Sequence, residues 1–154
     1  ITAIYQKERR NYYKLFRQFV KENEATWQGL VVANTPYYFS DLNKNPVERD
    51  FIRMDYYWEG IDTSNSKLIN TPVYSEHIQN YLKGILKKSE KATVAFKEYQ
   101  LKKAIDVVIE QFSKTSSTRS YAIDCLKEYF NKSDGLEMHC ALNYSIQKEN
   151  LGYK

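Results

Sequence analysis

The sequence predicts an all-α protein, an irregular array of about six to seven amphipathic helices, on three observations. Apolar residues recur at the 3.6-residue spacing of a helix along most of the chain. Only 5 glycines and 3 prolines occur in 154 residues, too few to punctuate the many turns of a sandwich or barrel. Two of those prolines follow a capping residue, at Asn45-Pro46 and Thr71-Pro72. There the side-chain oxygen accepts from orphan backbone N–H groups, and proline in the first turn has no N–H to leave unpaired.

Each element follows from its pattern. Over residues 4–20, Ile4, Tyr5, Tyr12, Leu15, Phe16, Phe19 and Val20 fall on one side of a helix and Lys7, Arg10, Lys14 and Arg17 on the other. Asn23 is expected to cap a second helix through Trp27, Leu30, Val31 and Val32 that ends at Asn34-Thr35-Pro36, with Gly29 marking a close approach to a neighbour. Residues 35–46 read as a loop in which Tyr37-Tyr38-Phe39 folds back on the core. A third helix starts at Asn45-Pro46, carries Val47, Phe51, Met54, Tyr57 and Trp58 on one stripe, and stops at Gly60. Asp62-Thr63-Ser64-Asn65-Ser66 is a polar turn.

The fourth helix starts at Thr71-Pro72 with Tyr74, Ile78, Tyr81, Leu82, Ile85 and Leu86 inward and breaks at residues 87–91. The fifth spans about Thr93 to Phe112, with Leu101, Ala104, Ile105, Val108 and Phe112 inward. Thr115-Ser116-Ser117-Thr118 punctuates the chain before a sixth helix with Ala122, Cys125, Leu126 and Tyr129 on one face. Ser133-Asp134-Gly135 turns into a seventh, which presents Leu136, Cys140, Ala141 and Tyr144 inward. No fixed-period repeat is visible.

Length allows one domain over residues 1–154, and the start at Ile1 is read as a piece excised from a longer, multidomain protein. The net charge of +4 is uneven: residues 1–21 carry +5, so the remainder sums to −1. The basicity belongs to one helix, which weighs against a nucleic-acid-binding surface spread over the domain. No apolar run reaches the roughly 18 residues of a membrane span.

The richest concentration of side-chain chemistry is Asp55-Tyr56-Tyr57-Trp58-Glu59-Gly60-Ile61-Asp62. An indole beside phenols and carboxylates is the composition of a carbohydrate or peptide platform, so Tyr56, Tyr57, Trp58 and Asp62 are the candidate binding residues. The competing reading has Trp58 as a wedge in the core at a helix junction, with Asp62 and Ser64 setting the next turn. Cys125 and Cys140 fall on inward faces and read first as small hydrophobes, with a disulfide between them in an oxidising compartment as the alternative. His139, Cys140 and Glu137 resemble a nucleophile with its base, but neighbours on a helix point about 100° apart. His77, in Ser75-Glu76-His77, reads as helix surface. Phosphate-loop, dinucleotide and metal-ligand patterns are absent from the sequence, so no catalytic residue, metal or cofactor is assigned.

The blocks Lys14-Leu15-Phe16, Asn23-Glu24-Ala25-Thr26, Tyr56 through Ser64, Leu68-Ile69-Asn70-Thr71-Pro72, Tyr81-Leu82, Ala104-Ile105-Asp106 and Gly135-Leu136-Glu137-Met138 carry a resemblance over most of the chain. Together the chain resembles the helical domain of unknown function that precedes the thioredoxin-like domain in thiol-disulfide oxidoreductases of certain Gram-negative anaerobes. The most specific portion is the Tyr-Trp-x-x-Ile-Asp to Leu-x-x-Thr-Pro block. The resemblance implies a periplasmic or cell-envelope protein with a β-rich domain before the helices and a redox domain after them. These 154 residues hold no Cys-x-x-Cys, so the expected role is a non-enzymatic structural or interaction module whose partners are flanking domains or a substrate protein. An independent peptide- or glycan-binding domain is the alternative.

Overall fold

The computed structural model describes Leu15, Gln18, Phe19, Glu22, Asn23, residues 25–34, Tyr57, Trp58 and residues 61–150. Within them the fold is all-α, as predicted: five α-helices and one 3₁₀ helix, with no strand among the described residues. The chain separates into two compact units, Ile1–Thr35 and Pro36–Lys154.

In the first unit α1 spans Trp27–Ala33. Its cap differs from the expected Asn23, which is itself helical and donates from Nδ2 to the Phe19 carbonyl at 2.8 Å. Thr26 takes the capping position instead: its Oγ1 accepts from Gly29 N at 3.0 Å and donates to the Asn23 carbonyl at 2.7 Å. The sharp turn brings the Asn23 carbonyl so near Gly29 that a Cβ there would lie 1.9 Å from the oxygen, so only glycine fits. Leu15 and Phe19, expected on an inward face, are 66% and 44% exposed. The other positions of the basic helix, the 35–46 loop and the third helix before Tyr57 lie outside the described residues.

In the second unit a 3₁₀ helix, Ser66–Asn70, precedes α2 (Pro72–Lys88), α3 (Val94–Gln111), α4 (Ser116–Asn131) and α5 (Leu136–Asn150). The starts are those the sequence marks. Thr71 accepts from Val73 N, Thr93 from Phe96 N and Thr115 from Thr118 N, each at 3.3 Å. Such caps are worth about 1 kcal/mol apiece. Gly135 enters α5 at φ 128°, a backbone region closed to residues with a Cβ. The 3₁₀ helix was not anticipated. Asn65 starts it by accepting from Lys67 N at 3.1 Å, and it turns Leu68 fully inward.

Helix α2 packs on α3 and α4, α5 packs on α3 and α4, and the 3₁₀ helix lies against α2 and α4. The core between them holds Leu82, Leu101, Ile105, Val108, Ala122, Leu126 and Ala141, each at most 2% exposed. Full burial of each larger aliphatic side chain contributes roughly 2 kcal/mol. Polar ties fix α5 on its neighbours: Tyr144 Oη donates to both Asp106 carboxylate oxygens at 3.0 and 3.1 Å, and Lys127 reaches Glu149 at 3.1 Å.

Two side-chain directions depart from expectation. Leu136 is 67% exposed. The inward stripe of α5 runs through Met138, Ala141 and Ser145, and two residues of helix turn Leu136 about 200° away from Met138. On α4, Phe130 is buried while its neighbour Tyr129 is only partly covered.

Candidate functional site

The aromatic stretch meets α2 through a reciprocal clamp. Tyr57 Oη donates to the His77 carbonyl at 2.8 Å, and His77 Nε2 donates to the Tyr57 carbonyl at 3.0 Å. The two rings stack, with centroids 4.2 Å apart at 25°. Both residues are 1% exposed, so His77 is a core residue and the expectation of a helix-surface histidine is corrected. Burial disfavours its charged form and lowers its pKa to about 4, against a smaller raising effect of the Tyr57 carbonyl.

Trp58 is partly covered and stands at the hub of the cluster. Its ring lies 4.9 Å from His77 and 5.8 Å from Phe112, both edge to face, and 5.2 Å from Tyr81. These are the separations at which aromatic quadrupoles attract. The indole N–H neighbours the Tyr81 phenol, which burial makes a weaker acid and the indole partly restores, but no acceptor stands at hydrogen-bond geometry to Nε1. Trp58 thus joins α2 to the C-terminal end of α3. Tyr57 and Trp58 sit in a turn rather than in a regular helix.

The segment that follows is tied down by its own backbone. Asp62 Oδ1 accepts from Ser64 N at 3.1 Å and from Ser64 Oγ at 2.6 Å, the turn expected for that pair. Tyr74, fully buried on α2, donates through its single hydroxyl proton to the Asp62 and Asn65 carbonyls. Burial, with the Asp62 carboxylate nearby, holds that phenol well above its usual pKa. Thr63, 2% exposed, donates to the Gln111 carbonyl at 2.6 Å, linking the turn to the end of α3.

Of the four candidate platform residues, Tyr56 lies outside the described residues. Tyr57 is buried, Trp58 is partly covered and the Asp62 side chain is exposed but bound to Ser64. Sequence reading missed His77, Tyr74 and Tyr81 as members of the site. A signal existed, because His77 is three residues after Tyr74 and four before Tyr81 and so shares their helix face.

Both cysteines stand as free thiols in this structure, Cys125 buried and Cys140 partly covered. Burial pushes the Cys125 thiol up to about 11. Burial and the Glu98 carboxylate also raise Cys140, which faces α3 while His139 is exposed. Both trends oppose thiolate formation, the reverse of an activated nucleophile. Among the described residues no three His, Cys, Asp or Glu side chains are placed to hold a metal ion, and no helix is long and apolar enough to cross a membrane.

Comparison of the chain with protein-family models, with curated proteins and with solved structures finds no match.

Proposed function

We propose that this chain is a non-catalytic helical module that positions a neighbouring domain or recognises its substrate protein, as part of a cell-envelope protein of the thiol-disulfide oxidoreductase type. The supporting observation is the use to which the aromatic stretch is put. Its most distinctive polar groups, the Tyr57 hydroxyl and the Asp62 carboxylate, are engaged within the chain. Trp58 packs on three rings of two different helices. In this reading Tyr57, Trp58 and Asp62, which belong to the block resembling the helical domain beside thioredoxin-like domains, act as a structural joint. In that context the partners are a β-rich domain before the helices and a redox domain after them.

The complete reading frame is the first test: a signal peptide and a downstream Cys-x-x-Cys domain are expected. Titration of the purified chain with that downstream domain should then show saturable binding. A frame without such a domain overturns the envelope reading. Turnover of a thiol substrate by the chain itself, abolished by Cys140→Ser, overturns the non-catalytic one.

The partial exposure of Trp58 favours one second reading, a peptide- or glycan-binding domain. Acrylamide quenching in a Trp27→Phe background separates the two. A packed joint gives weak quenching, whereas strong quenching that a bound oligosaccharide or peptide suppresses marks a platform.

A further inference from the structure

The second unit leaves five large apolar side chains exposed among its described residues, and three of them stand within six residues at the start of α3: Val94, Phe96 and Tyr99, at 45%, 49% and 52%. Exposed apolar groups are ordinary when scattered and informative when clustered. On α3, Phe96, Tyr99 and Lys103 fall within an arc of about 60°, turned away from the buried Leu101 and Ile105. Val94 follows the capping Thr93, at the end of the short turn that joins α2 to α3.

The same corner is cationic. Residues 83–103 carry seven lysines against Glu90 and Glu98, a net +5, whereas residues 104–150 carry five cations against seven carboxylates, a net −2. Two of the seven are paired: Lys102 meets Glu98 at 2.8 Å, and Lys97 faces Glu137 at 3.9 Å. Lys83, Lys87, Lys91 and Lys103 are exposed and have no carboxylate partner among the described residues. Lys103 lies 4.8 Å from the centre of the Tyr99 ring, so cation and aromatic share one surface.

We propose that the α2–α3 corner is a docking surface for an anionic phospholipid membrane. Charge complementarity selects this partner together with the apolar cluster. Lipid phosphates attract the unpaired lysines, while the boundary between headgroups and acyl chains takes up Val94, Phe96 and the Tyr99 ring. The long lysine stems can lie along apolar surface and keep their charges at phosphate level. Nucleic acid would answer the lysines and leave Val94 in water. A second copy would cover the apolar residues but bring like charges together. The surface lies wholly within the second unit and is separate from the aromatic joint, so the proposal does not depend on which domains flank the chain.

Flotation of the full chain with vesicles at low salt tests the surface, using phosphatidylcholine alone and phosphatidylcholine with added phosphatidylglycerol. The expected result is binding to the anionic vesicles only, weakening steeply as salt rises. Phe96→Ser should weaken it roughly tenfold, and Lys87→Gln combined with Lys91→Gln roughly thirtyfold. Melting temperatures should stay unchanged, because all three side chains are exposed. The added emission of Phe96→Trp should shift to the blue on those vesicles. No binding to anionic vesicles overturns the proposal. Undiminished binding by both variants also overturns it and assigns the attraction to residues 1–21, with their +5. So does binding to a DNA duplex but not to vesicles, or a dimer in solution that Phe96→Ser dissolves and that leaves the vesicles unbound.

Discussion

His77 and Tyr57 hold each other by exchanging hydrogen bonds: each side chain bonds the backbone carbonyl of the other, and the rings stack between the two bonds. The clamp fixes a segment 20 residues upstream onto the middle of α2. Tyr57→Phe keeps the stack and removes one bond, so it should destabilise the protein by roughly 1 to 2 kcal/mol. Tyr57→Ala also removes the buried ring and should cost about 3 to 5 kcal/mol. Urea denaturation of the two variants measures the difference: equal losses would show that the ring adds nothing beyond the hydroxyl, and an unchanged Tyr57→Phe would show that the hydroxyl contributes nothing.

The same clamp makes stability depend on pH. Folding lowers the His77 pKa from 6.5 to about 4, so between those values the unfolded chain binds a proton that the folded chain refuses. Its contribution is fully present above pH 6.5, declines as the pH falls and levels off below about 4, a loss of about 3 kcal/mol in all. His77→Phe should remove that component of the slope. Denaturation midpoints taken across the window test the sign, and an unchanged slope in the variant would assign the acid sensitivity to other groups.

Sequence legibility followed the range of the interaction. Thr71, Thr93, Thr115 and Gly135 act on backbone within a few residues, and each marks a boundary in the sequence that the fold uses. His77 is different. Beside Ser75 and Glu76 it looks like surface, and only the arrival of Tyr57 from a distant turn buries it. Likewise nothing local separates Tyr57 from Trp58, although the first is enclosed and the second only partly. Leu136 differs again: its apolar side chain in the first turn of α5 fits an inward stripe by type, but the face it occupies meets no neighbouring helix and points to solvent.

Thr63 is the second anchor of the turn. Thr63→Val preserves shape while deleting the bond to the Gln111 carbonyl, so about 1 kcal/mol of stability should be lost. The effect should be local: amide hydrogen exchange should quicken for the turn after Gln111 and stay unchanged in the middle of α4. Uniform acceleration across α4 would mean that the bond supports the whole unit.

Trp58→Ala removes a side chain in contact with rings on two helices, and large aromatic truncations in cores cost about 3 to 5 kcal/mol. Because Trp58 is partly covered rather than enclosed, the loss should fall near 3 kcal/mol, at the lower end of that range. Calorimetric melting of the variant checks it. An unchanged melting temperature would show that the indole is not part of the joint and would favour its use as a binding surface.

The thiols supply a prediction that bears on the redox context. Cys125 is 8% exposed with its pKa raised to about 11, while Cys140 is only partly covered. At neutral pH both should react slowly with an aromatic disulfide reagent, Cys140 before Cys125, and Cys125 should need local opening of α4 to react at all. Cys140→Ser should therefore abolish the earlier phase, and mild denaturant should accelerate the later one. If Cys125 reacted first in the native protein, its placement on the buried face of α4 would be wrong. If Cys140 reacted as fast as a free low-pKa thiol, the Glu98 carboxylate beside it would not be suppressing the thiolate, and a thiol-exchange role for this chain would have to be reopened.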